Sequence, residues 1–184
     1  VFGGLDTPVS MAIVPLMNQE KVPFMGPWAA GTGITKNGAE PNFAFRVSAV
    51  DEIVDIGMLD YAQKNFKTAK PGLILVNNPW GESNERGLKA AMQAKGVTPA
   101  GVEKFEANDV DMVPQLTRLK ANGADVLFKL RGDRALDGPV AAVVDAGRDL
   151  VDQRAGRGGE KLDRQHADVA ERFSDAGRHR LCLC

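Results

Sequence analysis

Apolar positions recur along this chain with two periods, and the period changes at short polar breaks. Met11, Ile13, Val14, Leu16 and Met17 predict a helix that stops near Glu20-Lys21. Ahead of it, Gly3-Gly4-Leu5-Asp6-Thr7-Pro8 reads as a strand end running into a helix start. Asp6 or Thr7 can cap that helix, and Pro8 suits its first turn. Val22-Pro23-Phe24-Met25 is a short apolar run, predicted as a buried strand. Gly26-Pro27-Trp28-Ala29-Ala30-Gly31-Thr32-Gly33 has the composition of a loop. Phe43-Ala44-Phe45-Arg46-Val47 alternates as a strand does.

Helical spacing then returns in Val50, Ile53, Val54, Met58, Tyr61, Ala62 and Phe66, which predicts a second helix. Asp51 and Glu52 fall in its first turn, where the helix dipole favours acids. Gly72-Leu73-Ile74-Leu75-Val76 is the strongest strand in the chain. It leads through Asn77-Asn78-Pro79-Trp80-Gly81 to a helix expected from about Ser83 to Lys95, with Gly96 as its stop. Val102 to Phe105 is a further strand. Asp111 can cap a helix carrying Val113, Leu116 and Leu119, which ends at Asn122-Gly123. Ala124-Asp125-Val126-Leu127-Phe128 opens another strand.

Strands alternating with helices over short connections predict an α/β fold with a parallel sheet covered on both faces. In such sheets ligands sit beyond the carboxyl ends of the strands. Three loops follow strands in this way: Asp6-Thr7, Trp28 to Thr32, and Asn77 to Trp80. Together they form the candidate site.

Residue usage shifts sharply after Phe128. Up to Phe128 there are three arginines, nine lysines, nine asparagines and ten aromatic residues. From Lys129 onward there are nine arginines, two lysines, no asparagine and one aromatic residue, Phe173. Residues 129–184 are therefore read as an aberrant tail of different origin. Arginine, alanine and glycine have GC-rich codons, so a shift of reading frame near codon 129 accounts for the change; a genuine fused or variant C-terminus is the alternative. The tail is expected to pack poorly. Its tempting motifs, Arg131-Gly132-Asp133 and the Cys182, Cys184 and His179 group, are set aside: the first arises by chance in such a composition, and the second has no standard zinc spacing.

The whole chain has 184 residues and a net charge of −1. Twenty-three basic residues balance 24 acidic ones, so nothing marks a nucleic-acid partner. No run approaches the roughly 18 apolar residues that a membrane span needs, and no secretory leader is visible at Val1-Phe2-Gly3-Gly4. Gly31-Thr32-Gly33 lacks the third glycine of a dinucleotide fingerprint, and no phosphate loop occurs. No cofactor or metal is called for.

Four segments in order carry a family resemblance: Gly3-Gly4-Leu5-Asp6-Thr7-Pro8, then Val22 through Thr32, then Phe45-Arg46-Val47-Ser48-Ala49-Val50-Asp51, then Leu75-Val76-Asn77-Asn78-Pro79-Trp80-Gly81-Glu82-Ser83. They resemble the type I periplasmic binding proteins, and more narrowly the substrate-binding subunits of branched-chain-amino-acid-type ABC transporters. The likeness covers residues 1–128. It implies two α/β lobes that close on a small ligand, with residues 1–48 as the end of the first lobe and 49–128 as the start of the second. It also implies an extracytoplasmic location, an amino-acid-like or related carboxylate ligand, and ABC permease subunits as partners, without membrane insertion. The isolated 184-residue chain, lacking parts of both lobes on this reading, is expected not to bind branched-chain amino acids tightly.

By the same resemblance the ligand-binding residues are Thr7, Trp28, Ala29, Ala30, Asp51 and Trp80. Thr7 holds the family's first hydroxyl position; its plainer reading is a helix cap. Ala30 stands where the second loop usually has a hydroxyl, and Thr32 follows two residues later, a departure from the α-amino-acid clamp that leaves Ala30 its backbone. Trp28 is a ligand contact or a simple lid over the lobe edge. Asp51 matches the position that takes an ammonium group, and is otherwise a first-turn helix acid. Trp80 matches the aromatic wall and favours an aromatic or planar ligand, since stacking adds about 0.5–1.5 kcal/mol to area burial. Arg46 reads as structural. Two other classes compete: a ligand-sensing domain of the same fold, and an α/β enzyme. The absence of histidine before His166 and of cysteine before Cys182 removes the commonest bases and thiol nucleophiles from residues 1–128.

Overall fold

The computed structural model describes residues 1–109, 111–130, 142–144 and 180–183. Its elements follow the expected order: α1 (Thr7–Glu20), β1 (Phe24–Gly26), a 3₁₀ turn (Thr32–Ile34), β2 (Ala44–Arg46), α2 (Asp51–Phe66), β3 (Gly72–Val76), α3 (Pro79–Ala94), β4 (Gly101–Phe105), α4 (Val113–Ala121) and β5 (Val126–Leu130), then β6 (Ala142–Val144) and β7 (Arg180–Leu183). The fold is α/β with parallel sheets. There are two sheets. β1 pairs with β2 in parallel, and five strands lie in the order β4-β3-β5-β7-β6. Only β6, antiparallel to β7, breaks the parallel pairing among the described strands.

The chain divides into two compact units, Val1–Asp60 with Asn77–Ala94, and Tyr61–Val76 with Lys95–Cys184. In the first unit Val14, Met17, Phe24, Ala29, Ile34 and Ala44 form a buried cluster. Asp6 caps α1 by accepting the Val9 N–H at 3.0 Å, so the capping role falls to Asp6 and not to Thr7. Phe2 makes a single bridge to Met25, where a strand end was expected.

The second unit is organised on β3. All five residues of that strand are buried, as a continuous apolar run in a parallel sheet requires. β4 and β5 flank it, and Phe105, Leu119, Leu127 and Phe128 are fully enclosed. Asp125 ties the entry of β3, its carboxylate accepting the N–H groups of Ala69 at 2.7 Å and Lys70 at 3.0 Å. β5 runs past the composition break to Leu130, which is buried. The reading of residues 129–184 as an aberrant, poorly packed tail otherwise falls largely outside the described residues.

Two elements differ instructively from expectation. α3 starts at Pro79 and not at Ser83, because the Asn78 side chain accepts the N–H groups of Trp80 at 2.9 Å and Gly81 at 3.0 Å. Asn78 is thus the cap and Pro79 the first helical residue, a favoured pairing that places Trp80 in the first helical turn. α2 buries a face that its apolar spacing does not mark. Its buried positions are Asp51, Asp55, Leu59 and Ala62, while Ile53 is 68% exposed and Val54, Ile56 and Tyr61 also face solvent. The helix carries apolar residues on every side, so periodicity does not single out the inward face.

Candidate functional site

The site residues gather in the first unit around the loop Pro27–Thr32. Thr7 is buried at the start of α1, and its Oγ1 accepts the Gly31 N–H at 3.0 Å. The hydroxyl thereby pins the loop and keeps its own hydrogen to donate. A Cβ at Gly31 would lie 2.3 Å from Thr7 Cγ2 and 3.0 Å from its Oγ1. Glycine is required there by close approach, and Thr7 is stiff at χ1. Gly31→Ala is therefore expected to destabilise the chain by about 1–3 kcal/mol, read as a lower thermal midpoint; an unchanged midpoint would show that the loop moves freely away from α1.

The loop's carbonyls are held from the other side. Arg46 Nη1 donates to Ala30 O at 2.9 Å and to Gly31 O at 2.8 Å. The Asp51 N–H reaches Ala30 O at 2.9 Å, and Ser48 Oγ donates to Ala29 O at 2.6 Å. Thr32 bridges two helices: its N–H donates to Ser83 Oγ at 3.0 Å, and its Oγ1 accepts the Glu52 N–H at 3.2 Å. Its hydroxyl serves the N-terminus of α2. Arg46, read from sequence as structural, clamps this loop, and burial lowers its pKa from the ordinary arginine value against the opposing pull of Asp51.

Asp51 is 3% exposed and its Oδ1 accepts the Trp80 indole N–H at 3.2 Å. Its Oδ2 has no hydrogen-bond partner. Burial raises the Asp51 pKa above the usual carboxylate range, while Ser83, Trp80, Arg46 and Asn84 pull it back. Trp80 is half-buried and its carbonyl accepts Asn84 Nδ2 at 2.8 Å. Thr7, Ala29, Ala30, Asp51 and Trp80 are thus linked through one loop and one carboxylate–indole contact. Trp28 is 61% exposed and takes no part in those hydrogen bonds.

Sequence reading missed Ser83, Asn84 and Asp55. Asn84 and Asp55 carry no motif, and Ser83 was seen only as the end of one. The single usable signal was the i, i+4 spacing of Asp51 and Asp55, which places both on one helix face. Among the described residues, no group of three or more His, Cys, Asp or Glu could hold a metal ion, and no helix is long and apolar enough to cross a membrane.

Residues 1–154 match the periplasmic binding protein family, so the match continues past the composition break at Phe128. A Leu/Ile/Val-binding protein homolog from Brucella melitensis is 28% identical over 128 residues, covering 70% of this chain and 34% of that protein. A solute binding protein of an ABC transporter from Rhodopseudomonas palustris HaA2, in complex with p-hydroxybenzoic acid, superposes with a TM-score of 0.62 at 25% identity over 71% of this chain and 34% of its own. The counterpart from Rhodopseudomonas palustris BisB5, in complex with 3,4-dihydroxybenzoic acid, gives a TM-score of 0.59 at 26% identity over 71% of this chain and 35% of its own. The chain spans about a third of the length of these relatives. With its parallel α/β architecture and a match over most of its length, the chain belongs to the periplasmic binding protein family.

Proposed function

We propose that this chain is part of a solute-binding protein that captures a small planar carboxylate, of the aromatic hydroxy-acid kind, outside the cytoplasm and delivers it to an ABC permease without chemical change. The observation that carries this reading is the Trp80–Asp51 pair set against the Ala29–Thr32 loop. A half-buried indole offers a flat face to a ring, and its N–H is already committed to a carboxylate, so the ring face is what remains for a ligand. Asp51, the acid that would take an ammonium, is buried and accepts the Trp80 indole N–H, which supports a ligand without an α-ammonium group. The two Rhodopseudomonas relatives in complex with hydroxybenzoic acids point the same way. The Brucella relative supports a second reading, a branched-chain amino acid.

Calorimetry on the product of the complete gene, with 4-hydroxybenzoate and leucine in parallel, separates the two. The expected result is micromolar or tighter binding of 4-hydroxybenzoate, roughly −8 kcal/mol or better, and none of leucine. Leucine binding without benzoate binding would reverse the assignment.

A further inference from the structure

The second buried acid of α2 has no place in the ligand reading. Asp55 is 0% exposed, and neither of its carboxyl oxygens has a hydrogen-bond partner. It lies one turn along α2 from Asp51, whose Oδ2 is also unpartnered. Against it, α3 presents Gly87 so closely that a Cβ there would lie 2.0 Å from Asp55 Oδ2. The helix crossing is built around this carboxyl, while Ile53 and Ile56 of the same helix face solvent.

A buried carboxylate without donors or a counter-ion is far costlier than the neutral acid. The charges around it do not supply a counter-ion. On its own helix Asp51 is a second acid, and Glu52 pairs with Lys36 at the surface. From α3 come Gly87 toward Asp55, and Trp80, Ser83 and Asn84 toward Asp51, none of them charged. Glu82, Arg86 and Lys89 of α3 are exposed, and Glu85 pairs with Lys89. Arg46 of β2 acts on Asp51.

We propose that Asp55 is held protonated at the α2–α3 crossing, and that loss of this proton drives α2 and α3 apart at Gly87, making this helix pair a pH-sensitive element beside the Trp80–Asp51 contact. Burial first, and the Asp51 charge second, push the Asp55 pKa up to about 8. The sign follows from linkage. The folded chain keeps a proton that the unfolded chain releases near the ordinary carboxyl value of 3.8. Folding stability from this group is therefore greatest below about pH 4 and declines as pH rises through about 8.

The test compares chemical denaturation of the 184-residue chain and its Asp55→Asn variant at pH 5, 6, 7 and 8. Asn mimics the neutral acid and cannot ionise. The expected result is that the folding constant of the variant gains about tenfold on that of the parent for each pH unit between roughly 5 and 7. Parallel pH profiles would overturn the proposal. A carbon-13 carboxyl titration of the parent chain reads the same group directly and does not depend on the variant folding. A resonance that titrates in neutral to alkaline solution and vanishes in Asp55→Asn supports the buried Asp55 proton; titration of every aspartate in the ordinary acidic range overturns it.

Discussion

Trp80→Ala is expected to weaken 4-hydroxybenzoate binding to the complete gene product by about 2–4 kcal/mol, the range of hot-spot truncations. The same substitution removes the indole N–H from Asp51, a contact of 3.2 Å to a carboxylate that is 3% exposed. Leaving a buried acceptor without its donor costs about 1–3 kcal/mol, so the thermal midpoint should fall as well. Trp80→Phe separates the two effects. It keeps an aromatic face but loses the N–H. The stability loss should appear in both variants, and most of the affinity loss in Trp80→Ala alone. Calorimetry and thermal melting on the pair decide it. Unchanged affinity in Trp80→Ala would remove Trp80 from the site and leave it as a support for Asp51.

Phe128→Ala is expected to destabilise the second unit by about 3–5 kcal/mol, through lost transfer energy and the cavity left behind. Phe128 is fully buried in β5, opposite Leu73 of β3 and Cys182 of β7 in the register. With a total stability of about 5–15 kcal/mol for an ordinary domain, that loss removes much of the folded population on warming. Denaturant melts monitored by far-ultraviolet circular dichroism read it. A change below about 1 kcal/mol would mean that the β3–β5 interface is not a packed core.

The two substitutions probe elements that differ in how far sequence reading reached them. β3 and β5 were legible because an apolar run bounded by polar residues needs only its own composition to be recognised. Four segments converge at the Pro27–Thr32 loop: Thr7 of α1, Arg46 and Ser48 at and just after β2, Asp51 of α2, and Trp80 of α3 through its contact with Asp51. Sequence reading named three of the four and set Arg46 aside. The missing information was the direction of its guanidinium, which faces the Ala30 and Gly31 carbonyls. Trp80 lies in the first turn of α3 and not in a loop because Asn78 caps the helix and Pro79 opens it, a start signal local to the sequence.

The order of strands and helices from α1 to β5, a capped start to α1 and the buried β3 strand were legible in the sequence. Each depends on residues within a few positions of one another, where backbone preference and side-chain capping act. Only the tertiary structure decided which face of α2 turns inward, that the Thr7 hydroxyl is committed to the Gly31 N–H, and that Asp51 meets the Trp80 indole. α2 is the clearest case. Its apolar residues surround the helix, so the pattern favours no single face, and the inward one is set by what packs against it. The missing Cβ at Gly87 on α3 leaves the space that the Asp55 carboxyl takes, and the two acids are buried while Ile53 and Ile56 remain exposed.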